Sequence, residues 1–109
     1  GCVKYKAGPV DFTGTWVLSE KIYDNEEFSD AQITINSDGT FSVFVDGKEI
    51  VTPLNGVVDL ETANSENCIA IWELEAIITE SGKLYAEFCY KYDSESDQSW
   101  WATAFFTKQ

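Results

Sequence analysis

Phe12-Thr13-Gly14-Thr15-Trp16 opens the first strand-like run of the sequence, and the other strands take their places from it. A period of two puts Phe12, Gly14, Trp16 and Leu18 on one face, which reads as core. Gly14 has no Cβ, so another segment can cross the strand closely there. At the far end of the chain, Phe105-Phe106-Thr107-Lys108 supplies an apolar run and then a cation.

These two ends resemble the lipocalin-like (calycin) barrels, whose first strand carries Gly-x-Trp at the closed end and whose last strand lays a basic side chain over the indole. The resemblance implies that Phe12, Gly14, Trp16, Phe106 and Lys108 form a closure device. The family's cation is usually arginine. This chain has none, so Lys108 takes the part through a cation–π contact. The avidin branch also begins Gly-x-Trp and ends near Phe-Thr-Lys, but Val17, Leu18 and Ser19 do not match its biotin-contacting polar residues.

At 109 residues the chain is one domain, with 44% hydrophobic and 15% aromatic residues. Segment 1–10 reads as an N-terminal tether and 11–109 as the barrel domain. Seven Lys against nineteen Asp and Glu give a net charge of −12, which disfavours nucleic acid and anionic membranes and suits a solubility charge on an exported protein. No apolar run approaches the roughly 20 residues of a membrane span. Gly1-Cys2 followed by a polar stretch looks like the mature end of a bacterial lipoprotein, which implies lipidation at Cys2 and a periplasmic or cell-surface place. The alternative is an ordinary free cysteine. Cys68 and Cys89 fall on opposite faces of successive strands and are not expected to bridge.

Along the chain, strands are expected from Asp11 to Tyr23, around Ala31-Ile33-Ile35, around Phe41-Val43-Val45, from Lys48 to Thr52 and from Val57 to Glu61. Asp46-Gly47 marks a tight hairpin, since both positions favour positive φ. Residues 62–67 read as a polar loop, and no segment shows a helical period. The sixth strand carries Trp72, Leu74, Ala76 and Ile78 on one face, with Cys68 on that face, Ile69 and Ile71 opposite, and Glu73 and Glu75 on the outer side. The seventh carries Leu84, Ala86, Phe88, Tyr90 and Tyr92. Matching these faces requires a loop Glu80-Ser81-Gly82 with Gly82 left-handed. The same face continues into the last strand, setting Tyr90 beside Trp100, Phe88 beside Ala102, Ala86 beside Ala104 and Leu84 beside Phe106. The expected fold is all-β, an eight-stranded antiparallel up-and-down barrel.

Within that barrel the alanine row Ala76, Ala86 and Ala104 floors a small apolar pocket, with Trp72, Tyr90, Tyr92 and Trp100 at its mouth. The leading expectation is therefore non-catalytic binding of a small hydrophobic or aromatic ligand in the lumen. The alternative is a filled core, packed by residues such as Trp16 and Phe41, in a protein-binding module like the small barrel inhibitors of proteases. Trp101 and Phe105 would then be its outer partner surface. A bulge that moves Trp101 inside instead of Trp100 stays open. The chain is expected to be a monomer or weak dimer.

Catalysis and metals find little support. There is no histidine, hence no ordinary Ser-His or Cys-His nucleophile. Asp93-x-Glu95-x-Asp97 begins like a calcium loop, but Gln98 stands where glycine is needed and Ala104 where the bidentate glutamate belongs. No cofactor is expected.

Overall fold

The computed structural model describes residues 8–22, 27–54 and 56–109. Eight strands form one antiparallel sheet: β1 (Gly14–Lys21), β2 (Ala31–Ile35), β3 (Phe41–Val45), β4 (Lys48–Glu49), β5 (Ile69–Ile71), β6 (Leu74–Ile78), β7 (Leu84–Asp93) and β8 (Gln98–Lys108). Their order across the sheet is β4-β3-β2-β1-β8-β7-β6-β5. This is an up-and-down order in which β1 and β8 join at the centre, and the sheet curls into a half-barrel. The two edges, β4 and β5, do not pair with each other. They are also the shortest strands, which limits the unpaired backbone they present.

The inner face follows the period of two. Leu74↔Phe88, Ala76↔Ala86 and Ile78↔Leu84 pair across β6 and β7. Phe88↔Ala102, Ala86↔Ala104 and Leu84↔Phe106 pair across β7 and β8. Gly82 has φ 84° in the β6–β7 loop, and Asp46 and Gly47 have φ 50° and 80° in the β3–β4 hairpin, as those turns demand. Two bulges interrupt the ladders, one between Leu18 and Glu20 against β8 and one between Cys89 and Lys91 against β8. The second sets Lys91, not Tyr90, opposite Trp100. A bulge adds one residue to one strand and re-aims its neighbours, and nothing in the apolar alternation of β7 announces it.

Between β4 and β5 the expectation of strand and loop is corrected. Residues 57–59 are not strand, and α1 (Leu60–Glu66) replaces the polar loop. Its N-cap is Asp59, whose carboxylate accepts from the Thr62 backbone at 3.4 Å and from the Thr62 hydroxyl at 3.0 Å. Its end is set by Asn67 at φ 55°, ψ 52°. Only Ala63 is buried along it, so a helical period had almost nothing apolar to show. The N-terminal segment packs here: Val10 N–H donates to Asn64 O at 2.9 Å, and Phe12 N–H to Asn64 Oδ1 at 3.0 Å.

Asn67 is fully buried and does the work of a strand residue with its side chain. Its Nδ2 donates to Ile78 O at 2.8 Å, and Ile78 N–H donates to its Oδ1 at 2.8 Å. The β5–β6 register runs Ile69↔Ala76, so position 67 faces 78 if extended. The amide completes the ladder after the backbone has turned away into α1.

A second correction concerns the predicted sixth strand. It is two strands, β5 and β6, paired through a turn at Trp72-Glu73. Ile69 therefore belongs to the core instead of the outer face, and Trp72 stands outside.

Candidate functional site

Three places carried functional expectations: the lumen, the outer face of β8 and the closed end. A fourth, the opening between the sheet edges, had no marker in the sequence.

The lumen is lined with aromatic rings. Phe88 stacks edge-on against Phe106 at 5.5 Å and against Phe28 at 6.1 Å, and Phe28 meets Tyr90 at 5.2 Å. Ala76, Ala86 and Ala104 are all buried in the same core. Phe12, Trp16, Phe28, Phe88 and Phe106 are essentially inaccessible to water. Phe88 and Phe106 follow the alanines on β7 and β8, and Phe28 joins them from outside the sheet, so the core is filled to close packing. Phe28 is the residue the sequence reading missed: it is a lone aromatic after an acidic loop, with no periodic neighbour to place it. Lys21 holds it, its Nζ donating to Phe28 O at 2.8 Å and lying 5.1 Å from the ring centre.

The proposed mouth residues separate. Tyr90 is buried against Phe28, and Trp100 is half-buried with Lys91 Nζ 4.7 Å from its ring centre. Tyr92 donates its hydroxyl to Asp97 Oδ1 at 2.6 Å, and this bond pushes its phenol above the ordinary value. Trp72 lies outside in the β5–β6 turn, 48% exposed. There it stacks edge-on with Trp101, itself 37% exposed, at 5.1 Å. Trp100 keeps the inner face and Trp101 the outer one. Phe105 is half-buried and packs on Tyr85 at 5.3 Å.

At the closed end, Lys108 Nζ lies 5.2 Å from the Trp16 ring centre and donates to Asp11 O at 3.2 Å. A Cβ on Gly14, whose φ is 131°, would come within 2.9 Å of Lys108 Cε. Trp16 donates its indole N–H to Phe12 O at 2.8 Å. The strand thus crosses where it has no side chain, and the lysine stem lies in that space.

The opening between the edges holds a cleft of about 120 Å³ whose lining includes Phe41, Val43, Ile50, Val51, Glu73 and Cys89. Glu73, expected on an outer strand face, is instead 6% exposed at the Trp72-Glu73 turn. Its Oε2 accepts from Gly56 N–H at 2.7 Å. Gly56 is suited to this approach, since a Cβ there would meet both carboxylate oxygens at 3.0 and 3.1 Å. Cys89 is a buried free thiol that donates to Lys91 O at 3.2 Å. Burial pushes it above the ordinary thiol value, with the nearby Glu73 charge adding to the rise. A thiol so placed is a poor nucleophile.

Among the described residues no three His, Cys, Asp or Glu side chains are grouped to hold a metal. The loop carboxylates are engaged internally: Asp93 accepts from Glu95 N–H at 3.1 Å and from Ser96 Oγ at 2.9 Å. No helix among them is long and apolar enough to cross a membrane. Cys68 is disulfide-bonded. Cys2 and the tether residues 1–7 lie outside the described residues, as do Tyr23 to Glu26.

No protein-family model matches this chain, and neither the curated proteins nor the solved structures include a match. The structure itself shows an eight-stranded antiparallel up-and-down sheet curled into a half-barrel.

Proposed function

We propose that this chain is a non-catalytic binding domain of an exported protein, with a lipocalin-like origin for its half-barrel, and that it meets a protein partner through the outer surface around Trp72 and Trp101. The observation that carries this reading is the aromatic column Phe28–Phe88–Phe106, buried in the same core as the alanine row. A lumen so occupied favours the protein-binding alternative over a small hydrophobic ligand. Two tryptophans held in contact and left exposed are costly in a free monomer surface and are the residue type that dominates interfaces. The net charge of −12 favours a basic partner through steering.

The disulfide at Cys68 supports export, because disulfides persist in oxidising compartments. Lipidation at Cys2 is a separate part of the export reading and rests on the Gly1-Cys2 sequence alone. Intact mass of the protein from its native source tests it.

The test of the partner surface is a parallel capture with wild type and Trp101→Ser, followed by calorimetry with the purified partner. The reading expects binding that weakens at least about tenfold in the variant, the scale of a modest interface hot spot. Unchanged binding, or release of an apolar small molecule when the native protein is denatured in a mass spectrometer, overturns it and returns the lumen to consideration.

A further inference from the structure

Asn67 and Glu73 are the two buried polar or charged side chains among the described residues. Asn67 is bonded at both its amide nitrogen and its oxygen. Glu73 is served at one oxygen: its Oε2 has the Gly56 N–H. Among the described residues no side-chain oxygen shut off from water lacks a hydrogen-bond partner, so Oε1, with no donor among them, keeps contact with the solvent of the cleft. A carboxylate oxygen reachable from a cleft but set in a mostly buried side chain is poorly hydrated, and a charged donor gains more on it than at an open surface.

The surroundings specify that partner. The cleft has apolar wall in Phe41, Val43, Ile50 and Val51, interrupted by Ser42 and Thr52, and among the described residues no lysine lines it. Glu49 adds a second carboxylate at the same cleft. A metal is disfavoured, since Glu49, Glu73 and Cys89 are not grouped as a metal site. Drug-sized ligands usually occupy pockets of roughly 300 Å³ or more. A cleft of about 120 Å³ suits something narrower.

We propose that this cleft binds an alkylammonium group, the stem lying on the apolar walls and the ammonium donating to Glu73 Oε1. A lysine side chain has this chemistry, with a four-carbon stem that packs and a head that pairs. Free alkylamines share it. The inference rests on the binding-module reading only in taking a partner's lysine as the natural source.

The test is an amide chemical-shift titration with n-butylammonium and, as its neutral counterpart, 1-butanol. Butylammonium should produce saturable shifts at Gly56, Glu73 and Cys89 that butanol does not. Glu73→Gln keeps an acceptor for Gly56 N–H and should weaken the binding by about tenfold or more, the size of one lost charge-assisted hydrogen bond. Equal responses to the two probes, or unchanged binding in Glu73→Gln, overturn the site. If Glu73→Gln proves unstable, Val51→Lys, at a residue 67% exposed, puts a tethered ammonium on the cleft wall and should block the probe to a similar degree. Undiminished binding there also counts against the site.

The peptide Gly-Gly-Lys-Gly-Gly distinguishes the sources. Tighter binding than butylammonium assigns the cleft to a protein's lysine. Tighter butylammonium binding keeps the amine site and removes protein as its source. Partner binding that survives Trp101→Ser while amine binding stays intact would instead sink only the outer-surface reading.

Discussion

The centre of the sheet and its open side are built by different means. Across β8, β7 and β6, inner residues alternate regularly between the two bulges, and every level from Ile78–Leu84–Phe106 to Leu74–Phe88–Ala102 is set by backbone pairing. Between β4 and β5 the chain leaves the ladder. It is held there by single side chains, Asn67 on Ile78 and Glu73 on Gly56. Periodic packing distributes its energy over many contacts, whereas a side-chain clamp concentrates it in one residue. The contrast predicts where a substitution will be felt most per atom removed.

The sharpest break is Asn67→Ala. It strands the N–H and C=O of Ile78 in the core and places alanine at a left-handed φ, so about 3 kcal/mol of stability should be lost in urea unfolding. A loss under about 1 kcal/mol would mean that water replaces the amide and that the open side is not clamped.

Ala86→Phe probes the centre in the opposite sense, by addition. In a lumen already occupied by Phe88 and Phe106 the extra ring should cost about 1–3 kcal/mol. A neutral or stabilising result would reveal a void that the ring fills. The same measurement therefore arbitrates between the filled core and the carrier reading.

The smallest effect belongs to the closed end. Asp11 is held below its ordinary value of 3.8, first by the Thr13 hydroxyl, then by the Thr13 N–H, with Lys108 adding a weaker pull. A depressed carboxylate contributes stability that is complete above its unfolded pKa and lost as pH falls through the folded one. Thr13→Ala should thus lower the melting temperature slightly at neutral pH and flatten its acid dependence below about pH 4. An acid limb identical to wild type would remove Asp11 from the closure.

The same division governed what the sequence could reveal. Strand pairing at the centre was readable as far as Phe88↔Ala102 because alternation fixes faces, but the β7 bulge beyond it, which puts Lys91 in place of Tyr90 opposite Trp100, was not; Gly82 and Asp46-Gly47 announce turns by their conformational demands. Lys108 over Trp16 was readable because Gly14 leaves space beside an indole. The open side offered no such marks. Trp72-Glu73 turns without glycine, proline or asparagine, so one apolar run concealed two strands. In α1 the informative residues are the caps Asp59 and Asn67, which are as common in loops. The cleft is made by residues remote in sequence, Phe41, Gly56, Glu73 and Cys89, and no local pattern brings them together.

The pairing of β1 with β8 also bears on synthesis. Of the eight strands, the one made first takes its central neighbour from the one made last, with Trp16 opposite Lys108. Until β8 is made, the nascent chain holds β1 with one side unpaired and the Trp16 face uncovered. Such long-range pairing is slow and leaves sticky intermediates. This sheet therefore completes only once β8 has been made.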